Sequence, residues 1–363
     1  MTTTLDQRRV PGLSRPVSVI GAGCWTIGGA ATNQGIPIGW DHVDADQALA
    51  GLVRAHQLGV TLYDTADVYG LGRSERLLGR LLQAIPRHQV VVSSKVGYFA
   101  GTAAHPYQPD QMRRQLDTTL ANLGTDRLDL YFLHSDDFGD DDTHLQAAIG
   151  QMRAFRDQGL VGTIGMRAPH EFAAEWADSP ETGWRGVQAA RFLHLFTQIR
   201  PDVVTARYSL LSPTYRDGET DIFAFARHHR FGVLIKQALA QGLLVTDLDR
   251  PAVAFSNGDH RSRDPLFRPP ARAGIGHIVL RLRDQFGPAG LHRAVLRYAI
   301  DQHPDAAVLV GFRNAAQIQQ TVTCLGDPLT GQELAALRAT AETARRLLRG
   351  GSADSPEVGR RPP

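Results

Sequence analysis

Eight times along this chain a short apolar run with β-strand character gives way to a stretch of helical pattern, and that alternation leaves few folds open. The strand candidates are Val17–Ile20, Gly59–Leu62, Gln89–Ser94, Leu128–Leu133, Val161–Gly165, Val203–Leu210, Gly232–Ile235 and Ala307–Val310. Between the early ones, Asp44–Gln57, Ser74–Ile85, Asp110–Leu123 and Thr143–Gln158 each gather their leucines and other apolar residues on one helical face. Later helical patterns, near Phe172–Trp176, Val187–Ile199, Asp221–Arg230 and Leu291–Asp301, are less regular. Strands separated by helices pair in parallel through crossovers. The expectation is an α/β fold: a single-domain (β/α)8 TIM barrel over residues 16–349, with long loops on its C-terminal face. A chain of 363 residues is within the range of one such barrel with insertions.

Three stretches stand outside the alternation. Residues 1–15 read as an N-terminal leader, and residues 350–363 have the composition of a disordered tail. Residues 246–274, rich in Pro, Arg, Asp and Gly, make a connection long enough to be functional. Near the end, Thr330-Gly331-Gln332-Glu333 is a capping box that opens a helix through Leu334, Leu337 and Leu347. Asp136–Asp142 resembles a metal loop at first sight. Without the EF-hand order and its closing glutamate it reads as a solvated loop leading into a helix, and no metal is expected.

Charge and cysteines exclude several classes. A formal charge of +2 is too small to argue for nucleic acid or an anionic membrane surface. Cys24 and Cys324 are too far apart for a metal motif or a disulfide framework, and no apolar run has the length of a signal peptide or a membrane span. A cytoplasmic location is the expectation.

The chemistry gathers at strand ends. Asp64 and Tyr69 lie in Tyr63-Asp64-Thr65-Ala66-Asp67-Val68-Tyr69-Gly70, Lys95 ends the third strand candidate, and His134 follows the fourth. Active sites of (β/α)8 barrels lie on that face. Lys95 is notable because the chain has 39 Lys plus Arg and only one other lysine, Lys236. A lysine ammonium beside a phenol favours its phenolate and is expected to lower the Tyr69 pKa, with Asp64 orienting the lysine and His134 hydrogen-bonding the same substrate oxygen. Singly, each has a plain structural explanation: a turn cap, a loop aromatic, a core histidine.

Asp-Thr-Ala-x-x-Tyr-Gly, Ser-Lys-x-Gly and Asp-Leu-Tyr-x-Leu-His-Ser, in this order, resemble the aldo-keto reductase superfamily. The resemblance implies that Asp64, Tyr69, Lys95 and His134 form a catalytic tetrad. It also implies that the region 246–274 helps cover a cofactor.

Gly21-Ala22-Gly23 follows a strand, but Thr26 stands where the third glycine of a Rossmann fingerprint belongs, and that motif is excluded. Gly23, Cys24 and Trp25 are instead expected along a ligand, with Trp25, Tyr98 and Phe99 shaping the substrate pocket. Gly311-Phe312-Arg313-Asn314-Ala315-Ala316-Gln317 combines a strand end, a turn and a helix start, which suits a phosphate, and a planar arginine suits the 2′-phosphate of NADP. It resembles the family's cofactor segment, implying Arg313 at the adenosine phosphate and Gln317 at the adenine or ribose. NADP(H) is the expected cofactor. The nicotinamide side departs from the family pattern: Gly165-Met166-Arg167-Ala168 stands where Ser-Asn is usual, Thr205 where Gln is usual, and Lys236 where an aromatic is common. Arg167, Thr205, Lys236, Ala238, Leu239 and Gln241 are the candidate residues there.

The leading expectation is NADPH-dependent reduction of a small carbonyl compound, an aldehyde, ketone or keto-sugar, with Tyr69 as general acid. Two alternatives remain at this point: an aldolase-like barrel with Lys95 as a Schiff-base nucleophile, and a non-catalytic cofactor-binding regulatory protein.

Overall fold

The computed structural model describes residues 5–246 and 254–350. Parallel strands close into a barrel in chain order: β1 (Ile20–Gly23), β2 (Leu62–Asp64), β3 (Val91–Val96), β4 (Leu128–Leu133), β5 (Val161–Arg167), β6 (Val203–Arg207), β7 (Gly232–Lys236) and β8 (Ala306–Gly311). The seam closes where β8 pairs with β1, Val308 opposite Ile20. Outside run α1 (Ala45–Gln57), α2 (Arg73–Leu82), α3 (Pro109–Leu123), α4 (Leu145–Asp157), α5 (Trp184–Ile199), α6 (Ile222–His229), α7 (Pro269–Asp301) and α8 (Ala315–Thr323), followed by α9 (Gly331–Gly350).

Local chemistry sets these boundaries. Asp44 caps α1 by accepting from the Gln47 amide at 2.8 Å, and Asp221 caps α6. Pro109 opens α3, and Gly124 closes it in the left-handed region at φ 61°. The capping box forms as expected: the Glu333 amide donates to Thr330 Oγ1 at 3.2 Å while the Thr330 amide donates to Glu333 Oε2 at 2.8 Å. Leu77, Leu78, Leu81 and Leu82 turn one face of α2 into the main core between strands and helices.

The barrel interior is filled, not hollow. Leu62, Val91, Leu130, Phe132, Val203, Leu234, Ala307 and Leu309 pack there with Val10 and Val17 from the N-terminal segment. Gln7–Arg8 pairs antiparallel with Val17–Ser18 across the lower end. Arg8 donates to the carbonyls of His303 and Ala306, and Arg15 to those of His88 and Val90. This plug shuts the floor of the barrel.

Three expectations shift. Val17–Ser18 belongs to the plug and the first barrel strand begins at Ile20, because the apolar run continues through the break where the chain crosses under the barrel. α7 begins at Pro269, so the long connection ends at Arg268; Gly287, at φ 71°, and Pro288 interrupt the helix and hide its first half from a periodicity reading. The pattern near Phe172–Trp176 is a short helical turn over Ala174–Asp178. Residues 247–253 of the connection, 1–4 of the leader and 351–363 of the tail lie outside the described residues, as does the side chain of Leu347.

Candidate functional site

Asp64 is the last residue of β2, Lys95 the penultimate residue of β3, and His134 the first after β4. Adjacent parallel strands bring these ends together. Lys95 Nζ donates to both Asp64 oxygens, at 2.9 and 2.8 Å, and to the Thr65 carbonyl at 2.5 Å. Asp64 Oδ1 also accepts from Ser93 Oγ at 2.6 Å. The pair is almost sealed, with Asp64 5% and Lys95 4% exposed. Burial alone would favour neutral Lys95, but the Asp64 carboxylate, helped by Tyr69, outweighs it and holds the pKa above the usual lysine range. Lys95 is therefore a fixed ammonium and a poor nucleophile.

Tyr69 lies in the turn after β2, with the Lys95 ammonium 4.7 Å from its ring centroid. Burial raises its pKa and Lys95 opposes, with the outcome pushed up to about 12. The expected lowering by lysine is present, but desolvation is the larger effect and the net direction is reversed. The phenol is protonated at neutral pH. Gly70 fixes this turn: it has φ 61°, and a Cβ there would lie 2.0 Å from the Gly28 carbonyl oxygen. The Tyr69 turn is thus pressed against the turn Thr26–Gly28 that follows Trp25.

His134 stands edge-on to Tyr69, ring centroids 5.9 Å apart at 80°, and its other side meets Tyr98 at 4.8 Å. Burial, then Lys95, Arg167 and Lys236, hold its pKa well below the usual histidine value. It is a neutral imidazole, able to donate one N–H. Trp25 is 6.2 Å from Tyr69 and is anchored by Nε1 donating to the Ile38 carbonyl at 2.7 Å. Tyr98 and Phe99 are half-buried in the loop after β3. Beneath Lys95 lie two sealed carboxyls that sequence reading passed over. Glu75 accepts from Ser94, Thr119 and Asn122, and burial raises the pKa of both Glu75 and Asp67.

On the other side of the mouth, Arg313 is half-buried in the turn after β8 with Nη1 3.5 Å from the Asp41 carbonyl oxygen. Asn314 caps α8 through the Gln317 amide at 2.9 Å, and Gln317 Oε1 accepts from the Arg313 amide at 2.8 Å. Gln317 therefore commits its carbonyl oxygen to bracing the turn that carries Arg313. Gly311 is exposed beside it. A guanidinium over a helix start suits a phosphate dianion.

Arg167, Thr205 and Lys236 end up on neighbouring strands, Arg167 opposite Thr205. Arg167 Nη1 donates to the Tyr98 hydroxyl at 3.3 Å. The segment after β7 is contorted: Gln237, Ala240 and Gln241 have φ of 60°, 47° and 57°, and Gln241 Nε2 donates to Asp264 at 2.5 Å. Leu239 and Gly23 are half-buried. Two candidates lie deeper than the rest. Cys24 and Ala238 have 0% and 1% exposure and pack in the main core, so neither offers a side chain to a ligand. The Cys24 backbone is also engaged, its amide with the Asp64 carbonyl and its carbonyl with Ser74 Oγ.

The loop over 254–268 closes one flank. Asp259, fully buried, accepts from the Asp41 amide at 2.7 Å, His260 meets the Trp25 ring at 4.9 Å, and the Arg261 guanidinium lies 4.4 Å from the Trp40 ring centroid. Sequence reading singled out none of these, nor Arg207 at the end of β6. Arg207 had a signal: it lies two residues past Thr205, on the same side of the strand.

The pattern described as the aldo/keto reductase family matches residues 19–342. An NADH-specific methylglyoxal reductase of Escherichia coli (strain K12) is 22% identical over 91% of this chain and 96% of its own length. An L-galactose dehydrogenase of Arabidopsis thaliana is 22% identical over 89% of each. In three dimensions, a glycerol dehydrogenase of Gluconobacter oxydans superposes with a TM-score of 0.70 at 23% identity, over 98% of this chain and 99% of the other. No helix among the described residues is long and apolar enough to cross a membrane.

Proposed function

Since this chain belongs to the aldo/keto reductase family, and is on that ground a nicotinamide-dependent oxidoreductase, we propose that it reduces a small carbonyl compound with NADPH, Tyr69 serving as proton donor. The observation that carries the reading is the Lys95 ammonium, held by both Asp64 oxygens and set 4.7 Å from the ring of a protonated Tyr69.

The cofactor, when bound, supplies the hydride. The chain's own residues do the rest. A carbonyl oxygen beside Tyr69 and His134 meets a phenol O–H and an imidazole N–H, two donors that polarise it before transfer and neutralise the alkoxide as it forms. Lys95 lowers the cost of the transient phenolate, and Asp64 keeps Lys95 charged. Trp25 and Tyr98 narrow the approach and exclude water. Arg313 and the start of α8 supply a cationic, N–H-rich seat for the adenosine 2′-phosphate, which favours NADPH over NADH. The charged state of Lys95 speaks against the Schiff-base alternative.

The test is Tyr69→Phe. Reduction of a carbonyl substrate should fall by about a hundredfold or more while NADPH affinity, read by fluorescence titration, stays within about threefold. A Tyr69→Phe protein that reduces at the parental rate would remove Tyr69 from the reaction.

A further inference from the structure

The strand ends opposite the Asp64–Lys95 pair carry a second group of basic side chains. Arg167, Arg207 and Lys236 terminate β5, β6 and β7, with Arg207 and Lys236 directly paired in register. All three are partly buried. Among the described residues none of them forms an ion pair within 4.0 Å. The carboxylates that act on Arg207 and Lys236 through space have direct partners of their own: Glu171 pairs with Arg185 at 2.8 Å, Asp264 with Gln241 and His260, and Asp64 with Lys95. Asp136 acts on Arg167 only through space. Burial disfavours the charged forms of Lys236 and Arg207, although Glu171 and Asp264 act on Arg207 through space, and an arriving anion would offset that cost.

The position of these basic groups says what brings such an anion. From Arg167 an unbroken line of contacts runs to the proposed proton donor: its guanidinium to the Tyr98 hydroxyl at 3.3 Å, the Tyr98 ring to His134 at 4.8 Å, and His134 to Tyr69 at 5.9 Å. The electrostatic reach of Arg167 and Lys236 extends to the His134 imidazole. Arg313, the candidate phosphate ligand, is instead on the turn after β8.

The geometry points to a carbonyl substrate that carries its own anionic group, a carboxylate or a phosphate, held by Arg167, Lys236 and Arg207 while its carbonyl oxygen lies between Tyr69 and His134. This rests on the reductase reading above. The carbonyl carbon gains a hydride from the dihydronicotinamide, its oxygen gains the Tyr69 proton, and the products are a hydroxy acid or phosphorylated alcohol and the oxidised cofactor. Lys236 fits the role electrostatically: burial, Arg167, Lys95 and Arg207 disfavour its ammonium and only Asp64 favours it, so an arriving anion restores its charge.

Two pairs of probes matched in shape separate the sources of charge: phenylglyoxylate against its methyl ester, and erythrose 4-phosphate against erythrose. Titrated by calorimetry into the protein saturated with NADP+, where no hydride is available, the anionic member of at least one pair should bind about tenfold or more tighter than its neutral partner. Which pair shows the preference tells a carboxylate from a phosphate. Arg167→Met and Lys236→Met, with Arg207→Met as a third variant should either fail to fold, should weaken the anion about tenfold and the neutral partner less than about threefold. Equal binding of both members in both pairs, or equal weakening of both by the substitutions, would overturn the proposal. Turnover of the same probes with NADPH reads the reductase assignment separately: anion-selective binding without oxidation of NADPH would sink that assignment and leave the anion subsite standing.

Discussion

The Lys95 ammonium is gripped by both oxygens of Asp64, at 2.8 and 2.9 Å, in a spot where neither residue is more than 5% exposed. Removing one partner from such a pair strands the other. Asp64→Asn should cost about 3–5 kcal/mol of stability in urea unfolding, whereas adding Lys95→Met to it should return at least about 1 kcal/mol. Losses that simply add would show that the two side chains do not act as a pair.

The Tyr69 phenol, raised to about 12 by burial against the opposing pull of Lys95, is the proton-bearing form throughout the neutral range. If Tyr69 is the proton donor as proposed, carbonyl reduction should hold level from about pH 6 to pH 9 and decline only beyond. Since Lys95 pulls the phenol pKa down, Lys95→Met should move the alkaline decline upward while lowering the plateau. A decline centred near pH 7 in the unaltered protein would assign the proton to another group.

The proposed 2′-phosphate role of Arg313 is open to a direct test. Arg313→Gln should weaken NADPH by about tenfold to a hundredfold and NADH by less than about threefold, in fluorescence titrations of each. Equal weakening of the two would place the guanidinium away from the 2′-phosphate.

At the opposite end of the barrel, His303 is 9% exposed, stacked on Phe223 with ring centroids 3.4 Å apart, and held near a pKa of about 3 by burial, Arg227 and Arg8. The unfolded chain takes up this proton below about pH 6.5 and the folded chain does not, so the contribution is complete above that pH and is lost as pH falls toward 3. Between pH 7 and pH 5, His303→Leu should lose about 2 kcal/mol less stability than the parent. Identical pH slopes would mean that His303 is protonated in the folded protein.

Periodicity sufficed for the barrel because each crossover helix buries one stripe and each strand is a short apolar run; the approximate places of Asp64, Lys95 and His134 at strand ends follow from the same pattern. Three things were beyond it. The plug at Val17–Ser18 is as apolar as a barrel strand, so composition cannot separate them. The first half of α7 is concealed by the Gly287-Pro288 break. The net rise in the Tyr69 pKa depends on how deeply the phenol is desolvated, a property of packing by Trp25, His134 and Lys95 that no spacing encodes. Arg207 and His260 acquire meaning only once distant segments meet.

With the floor of the barrel stoppered by Val10, Val17 and the Gln7–Arg8 ribbon, the mouth is, among the described residues, the doorway to the residues around Tyr69. Two guests using one door must queue: whichever lies deeper arrives first and departs last. Steady-state kinetics should accordingly display a compulsory sequence of arrivals, a rule of traffic imposed by a few residues some distance from any bond that changes.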